Sequence, residues 1–92
     1  MKVTEFIYPG CPYCRQAAEI IEELRKEKPE FADIEIDVIN ELEHPEIADC
    51  YDYFYTPCFY DGTRLLYEAA PGRSRNEAKA MIGDMFKMAA EI

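Results

Sequence analysis

Two cysteines separated by two residues, in the segment Cys11-Pro12-Tyr13-Cys14, are the part of this sequence best suited to chemistry. Such a pair can alternate between dithiol and disulfide, supply half of a zinc site, or consist of two ordinary core cysteines. A strand-like segment, 3–8, precedes the pair, and a helical pattern follows it. Unpaired N–H groups and the dipole at a helix N-terminus favour thiolate, the nucleophilic form of cysteine. We therefore predict thiol–disulfide exchange in which Cys11 attacks a disulfide and Cys14 resolves the mixed disulfide.

A proline after Thr56 is the second unusual feature. The order of the elements places Pro57 at the start of the strand that neighbours the first strand, and therefore beside Cys11. Proline is unusual at the start of a central strand because it cannot donate to the hydrogen-bond ladder. We predict a cis Thr56-Pro57 bond, which would turn the chain tightly and expose the backbone of Thr56 to an extended substrate.

The elements that position these residues follow from apolar periodicity and from turn residues. Strands are predicted over 3–8, 33–40, 58–60 and 63–68, and helices over 13–28 and 45–53. The capping box Ser74-x-x-Glu77 begins a last helix. The same periodic patterns predict which apolar side chains face the core. These include Ala18, Ile34, Ile36, Val38, Ile47, Ala48, Tyr51, Met81 and Met88.

This order, β-α-β-α-β-β-α, predicts an α/β fold with one mixed four-stranded sheet and helices on both faces. A helix between the first two strands favours a parallel pair. The dipeptide Asp61-Gly62 is a strong signal for a tight turn and hence for an antiparallel last pair. At 92 residues the chain has the length of a single domain, 1–92.

The composition excludes several classes of function. Nineteen Asp and Glu against ten Lys and Arg give a formal net charge of -9. An acidic surface repels phosphate backbones and anionic lipid headgroups, so we expect neither nucleic-acid nor membrane binding. No signal-peptide pattern opens the chain, so we expect a cytoplasmic protein with its thiols mostly reduced. We also expect a monomer.

Two further cysteines, Cys50 and Cys58, require an explanation. Their spacing after the first pair is poor for a compact zinc site, and we expect both to be small buried hydrophobic residues. We predict no metal and no cofactor. A carboxylate buried near Cys14 could accept its proton, and Glu5 and Asp37 are the candidates.

The segment 8–14, with the sequence YPGCPYC, resembles the active site of the dithiol glutaredoxins, and Thr56-Pro57 resembles the cis-proline of the thioredoxin/glutaredoxin superfamily. The order of the elements is similar over essentially the whole chain. This resemblance implies the thioredoxin fold, with Cys11 as nucleophile and Cys14 as resolving thiol. It also implies that Thr56-Pro57 holds the substrate backbone, with Pro12 and Tyr13 beside it.

Departures from the glutaredoxin pattern concern the glutathione site. Tyr8 stands where these proteins usually carry a lysine that pairs with a glutathione carboxylate. After the turn Pro71-Gly72, Arg73 and Arg75 replace the usual acidic charge, and either arginine could hold a carboxylate instead. We predict weak glutathione binding and faster turnover with a protein reductase.

The expected activity is therefore reduction of a disulfide-containing protein or a glutathione mixed disulfide, with a reductase or glutathione as electron source. Two alternatives stay open at this point. One is an electron donor dedicated to a single enzyme, such as a ribonucleotide reductase. The other is a metal-binding module that holds zinc or an iron–sulfur cluster.

Overall fold

A computed structural model describes residues 2–90, without the side chain of Lys2. The elements, in chain order, are β1 (Lys2–Ile7), α1 (Pro12–Glu27), β2 (Glu35–Asn40), α2 (Pro45–Ala48), β3 (Cys58–Asp61), β4 (Arg64–Glu68) and α3 (Arg75–Ala90). A short 3-10 helix, Pro29–Asp33, joins α1 to β2. No helix within residues 2–90 is long and apolar enough to span a membrane.

The strands form one mixed sheet in the order β2-β1-β3-β4. β1 runs parallel to β2, whereas the β1–β3 and β3–β4 pairs are antiparallel. Gly62, with φ +61°, lies in the predicted turn between β3 and β4. The predicted α/β architecture is confirmed. Its two central strands carry the segments of chemical interest, because the cysteine pair follows β1 and Thr56-Pro57 precedes β3.

Alternation along the strands divides the interior into two hydrophobic clusters, one on each face of the sheet. The helices α1 and α3 pack over the larger cluster, to which the strands contribute Val3, Phe59 and Tyr67. The loop that includes α2 covers the smaller one. The buried members of that smaller cluster, and the residues packed against it, are Phe6, Cys58, Tyr60, Ile39, Ala48, Tyr51 and Tyr53.

The last helix begins as predicted. The Ser74 hydroxyl accepts a hydrogen bond from the Glu77 N–H at 3.1 Å, and the Glu77 carboxylate accepts one from the Ser74 N–H at 3.2 Å. These two bonds complete a capping box. Met81 and Met88, however, were predicted to face the core and are 42% and 38% exposed. They flank a stripe that consists of Ala78, Ile82, Met85, Phe86 and Ala89.

The strand β2 lies at the edge of the sheet, and fewer of its apolar side chains are buried than its alternating pattern predicts. Ile34 is buried just before it and Ile36 is half-buried, but Val38 is 54% exposed. The prediction that Val38 and Ala18 face the core is therefore wrong. Both border an open groove between α1 and β2, because α1 leaves this edge of the sheet uncovered.

The helix α2 is one turn long and ends at Ala48, rather than near residue 53. Ile47, expected to point inward, is 37% exposed. Cys50, expected to be a buried hydrophobic residue, is also exposed. We attribute the early end of α2 to aromatic packing. The ring of Tyr51 is tilted against Phe6 and the ring of Tyr53 is stacked on it, and residues 51–53 make these contacts in a non-helical conformation.

Candidate redox site

The cysteine pair begins at a tight turn at the end of β1. The Cys11 N–H donates to the Tyr8 carbonyl at 3.2 Å, and Gly10 between them has φ +79°. Proline at the second position and a positive φ at the third are typical of a type II turn, which explains Pro9-Gly10. Pro12 then lies in the first turn of α1, where its missing N–H is not needed. The turn thus makes Cys11 the N-cap of α1.

Thr56 brings the loop before β3 against the Cys11 sulfur. The Thr56–Pro57 peptide bond is cis, as predicted. The Cys11 thiol donates to the Thr56 carbonyl at 3.4 Å, and the Thr56 hydroxyl donates to the Cys11 Sγ at 3.5 Å. Two segments that are 45 residues apart in the chain therefore meet at one sulfur atom.

The two cysteines of the pair have opposite acidities. Burial by itself raises the pKa of Cys11, but the Thr56 hydroxyl and groups in the first turn of α1 outweigh it and hold that pKa below the ordinary value of a thiol. The pKa of Cys14 is raised to about 11, chiefly by burial. Both are half-buried thiols. Cys11 is suited to attack, and Cys14 is suited to stay protonated until it is needed.

A buried carboxyl group lies in the groove between α1 and the sheet. Glu5 on β1 is 6% exposed and lines the groove against α1 together with Ala18. Ala18 is about one helical turn beyond Cys14. Burial raises the pKa of Glu5 to about 7, which suits a proton acceptor at neutral pH. Asp37, the other candidate, is exposed on β2.

The remaining two cysteines differ in burial. Cys58 is fully buried, as predicted, and burial is the main cause that raises its pKa to about 12. The exposed Cys50 thiol donates to the Glu46 carbonyl at 3.5 Å. Within the part of the chain that the structure describes, no three His, Cys, Asp or Glu side chains are arranged to hold a metal ion.

Exposed aromatic side chains lie on the two segments that meet at Cys11. Tyr8 is 46% exposed and Tyr55 is 45% exposed, whereas Tyr13 is half-buried against the larger core cluster. Phe54 is 92% exposed. Phe54 was not among the predicted site residues. The available signal was its position in 52–56, a stretch without strand alternation that ends at a proline.

The two arginines after Gly72 are engaged within the protein. Arg73 donates to the Glu68 carbonyl at 2.7 Å, and its guanidinium lies 5.3 Å from the centre of the Tyr67 ring. It also lines a small cavity beside Tyr13, on the side of the cysteine pair. Arg75 instead pairs with Glu23, more than two turns along α1 from Cys14.

Comparison with known proteins identifies similar chains. The sequence is 33% identical over 71 residues to a thioredoxin of Methanocaldococcus jannaschii, a match that covers 77% of this chain and 81% of that protein. It is 32% identical over 74 residues to a probable thioredoxin of Methanothermobacter marburgensis, covering 79% and 84%. Thioredoxin 1 of Thermosipho africanus TCF52B has a similar fold, with a TM-score of 0.60 at 23% identity over 97% of this chain and 98% of that one. No family model matches the sequence.

Proposed function

Because this chain belongs to the thioredoxin family and is a thiol–disulfide oxidoreductase, we propose that it reduces protein disulfides, with Cys11 attacking and Cys14 resolving. The observation that carries the proposal is the pair of contacts between Thr56 and the Cys11 sulfur. The hydroxyl of Thr56 can go on donating to the sulfur after the thiol loses its proton, so it stabilises the thiolate. The carbonyl of Thr56 no longer has a thiol proton to accept and becomes open to a substrate N–H.

The proposed reaction has two exchange steps. The Cys11 thiolate attacks one sulfur of the substrate disulfide, forms a mixed disulfide and releases the other substrate sulfur as a thiolate, which takes up a proton. The Cys14 thiol then loses its proton and attacks Cys11 Sγ. This second step releases the reduced substrate and leaves a Cys11–Cys14 disulfide, so the two electrons gained by the substrate come from the two cysteines. An external reductant returns the pair to the dithiol.

Glu5 is the proposed acceptor of the Cys14 proton. A thiol with a pKa of about 11 is a poor nucleophile at neutral pH unless a base removes its proton. The buried carboxyl, with a pKa of about 7, has the required proton affinity and lines a groove with residues of α1, the helix that carries Cys14. The exposed Asp37 has less support for this role, because it lies on the edge strand rather than beneath α1.

A protein is the proposed substrate in preference to glutathione. Exposed Tyr8, Phe54 and Tyr55 offer apolar surface on both sides of the cysteine, which fits an extended polypeptide better than a charged tripeptide. Arg75 is already paired with Glu23, and Tyr8 provides no positive charge. Arg73 is the one predicted carboxylate-holding residue that lies on the side of the pair. These observations favour a protein reductase as electron source. That the protein is a monomer and acts in the cytoplasm stays a prediction from the sequence.

Turnover assays test the proposal directly. Reduction of a protein disulfide is measured with NADPH and a thioredoxin reductase, and in parallel with NADPH, glutathione and glutathione reductase. We expect the first system to be faster. Cys11→Ser should abolish turnover in both systems, and Cys14→Ser should accumulate a mixed disulfide that mass spectrometry detects. Wild-type speed in Cys14→Ser would refute the dithiol mechanism.

The same assays distinguish a general disulfide reductant from an electron donor dedicated to one enzyme. A general reductant should act on several unrelated disulfide proteins at similar rates. A donor dedicated to one enzyme, such as a ribonucleotide reductase, should be slow with all of them and fast with that enzyme alone.

A further inference from the structure

Glu68, at the end of β4, holds the loop that contacts the nucleophile. A single carboxylate oxygen, Oε2, accepts hydrogen bonds from the backbone N–H groups of Phe54 at 2.6 Å and of Tyr55 at 2.8 Å. Glu68 lies opposite Cys58 in the β3–β4 register, so its side chain reaches back over the residues that come just before β3. Charge-assisted bonds of this length are among the stronger hydrogen bonds in proteins.

Apart from the contacts of Thr56 with Cys11, little else fixes the backbone of residues 54–56. The ladder between β3 and β4 begins at Cys58, and the next backbone bond outward joins the Ala69 N–H to the Pro57 carbonyl at 3.1 Å. Among the backbone–backbone hydrogen bonds of residues 2–90, none involves 54–56. The side chains give no anchor either, because Phe54 is 92% exposed and Tyr55 is 45% exposed. The carboxylate of Glu68 replaces the missing strand partner.

The position of these residues matters because Thr56 follows them directly. Its carbonyl and hydroxyl are the groups within 3.4 and 3.5 Å of Cys11 Sγ. A loop free to move at Phe54 and Tyr55 would move Thr56 against the sulfur. An error of about 1 Å at a reacting atom can cost about a hundredfold in rate.

We propose that Glu68 is a positioning residue of the redox site, whose carboxylate oxygen fixes residues 54–56 and thereby holds Thr56 against Cys11. The proposal rests on the proposed function for its consequence in turnover. The contact itself can be tested without turnover, through the reactivity of Cys11 and through the two amide protons.

The variants separate hydrogen bonding from charge and from shape. Glu68→Gln keeps an acceptor oxygen and removes the charge. Glu68→Met keeps the length of the side chain and removes the acceptor. Glu43→Gln removes one negative charge from an exposed loop position and serves as the control.

The first measurement is the rate of Cys11 alkylation as a function of pH. Mass spectrometry of the labelled peptides separates the label on Cys11 from the label on the other cysteines. Glu68→Met should move the midpoint of the Cys11 profile to higher pH, because the hydroxyl of Thr56 no longer stabilises the thiolate. Mere loss of a negative charge would move that midpoint to lower pH, since a thiolate is easier to form beside fewer negative charges. Glu68→Gln keeps the acceptor and loses the charge, so its midpoint should lie at or slightly below that of the wild type. An unchanged or lowered midpoint in Glu68→Met would overturn the proposal.

The second measurement is amide hydrogen exchange of Phe54 and Tyr55 in the wild type, which does not depend on whether a variant folds. Both amides should be protected relative to those of exposed loop residues, and Glu68→Met should remove the protection. Rapid exchange of both amides in the wild type would overturn the proposal.

Turnover connects the contact to the reaction. Glu68→Met should lower kcat/KM for a protein disulfide by about tenfold, with Glu68→Gln and Glu43→Gln much closer to wild type. Equal losses in Glu68→Gln and Glu68→Met would overturn the assignment to the acceptor oxygen. If wild type reduces no protein disulfide, the proposed function fails, and the alkylation and exchange measurements still decide the role of Glu68.

Discussion

The buried carboxyl of Glu5 should reduce the stability of this protein at neutral pH. Its pKa is raised by burial from the ordinary 4.5 to about 7. Between these two values the folded protein keeps a proton that the unfolded chain releases. Stability therefore falls as pH rises from about 4.5 to about 7, and this loss is complete above that range. Glu5→Gln, which stays neutral throughout, should not show it.

The magnitude follows from the pKa. A rise from 4.5 to about 7 corresponds to about 3 kcal/mol in the free energy of unfolding, as an order of magnitude for a group that is 6% exposed. The stability of Glu5→Gln relative to wild type should therefore increase by about 3 kcal/mol between pH 4.5 and pH 7.5. With a urea m-value of about 1–3 kcal/mol/M, the midpoint difference changes by about 1–3 M.

The assay is urea denaturation of both proteins, under reducing conditions, at several values of pH from 4.5 to 8. The quantity of interest is the difference between the two free energies, because other titrating groups cancel in it. Glu22→Gln is the matched control, since Glu22 lines the same groove but is exposed. A difference between wild type and Glu5→Gln that does not depend on pH would refute the reasoning. If Glu5 also accepts the Cys14 proton, the same variant should be more stable and slower in turnover.

Three other predictions follow from the site and the last helix. Alkylation at mildly acidic pH should label Cys11 before Cys14 and Cys58, because the pKa of Cys11 is lowered and those of the other two are raised, and mass spectrometry of the labelled peptides gives the order. Tyr8→Lys should raise the rate of glutathione-coupled turnover by roughly tenfold, since a charge-assisted contact contributes about 1.5–3 kcal/mol; a wild type as fast as the variant would contradict the argument. Ser74→Ala should cost about 1 kcal/mol in thermal or urea unfolding by removing the helix cap, and an unchanged midpoint would count against the cap.

Local patterns in the sequence were sufficient to predict the architecture. Strand alternation, helical spacing and the breaks at proline and glycine depend on neighbouring residues, so the order of the elements, the capping box and the turn at Gly62 could be predicted. The cysteine pair and the cis Thr56-Pro57 bond could be predicted for a related reason, since each is a short motif whose neighbouring elements are recognisable. The boundaries of α2 could not, because aromatic packing onto Phe6 ends that helix.

Exposure and long-range contacts depended on the tertiary structure. Val38 alternates like a core residue, yet it is exposed because its strand lies at the edge of the sheet. The sequence named Glu5 and Asp37 as equal candidates for a proton acceptor, and the position of α1 over the sheet buries only Glu5. Glu68 had no signal at all in the sequence, since its role requires β4 to bring a carboxylate next to two backbone N–H groups 14 and 13 residues earlier. The sequence alone therefore indicated the cysteine pair and Thr56-Pro57 as candidates for the chemistry. Tertiary packing decided which residues surround them, because burial and hydrogen-bond partners are properties of segments brought together by the fold.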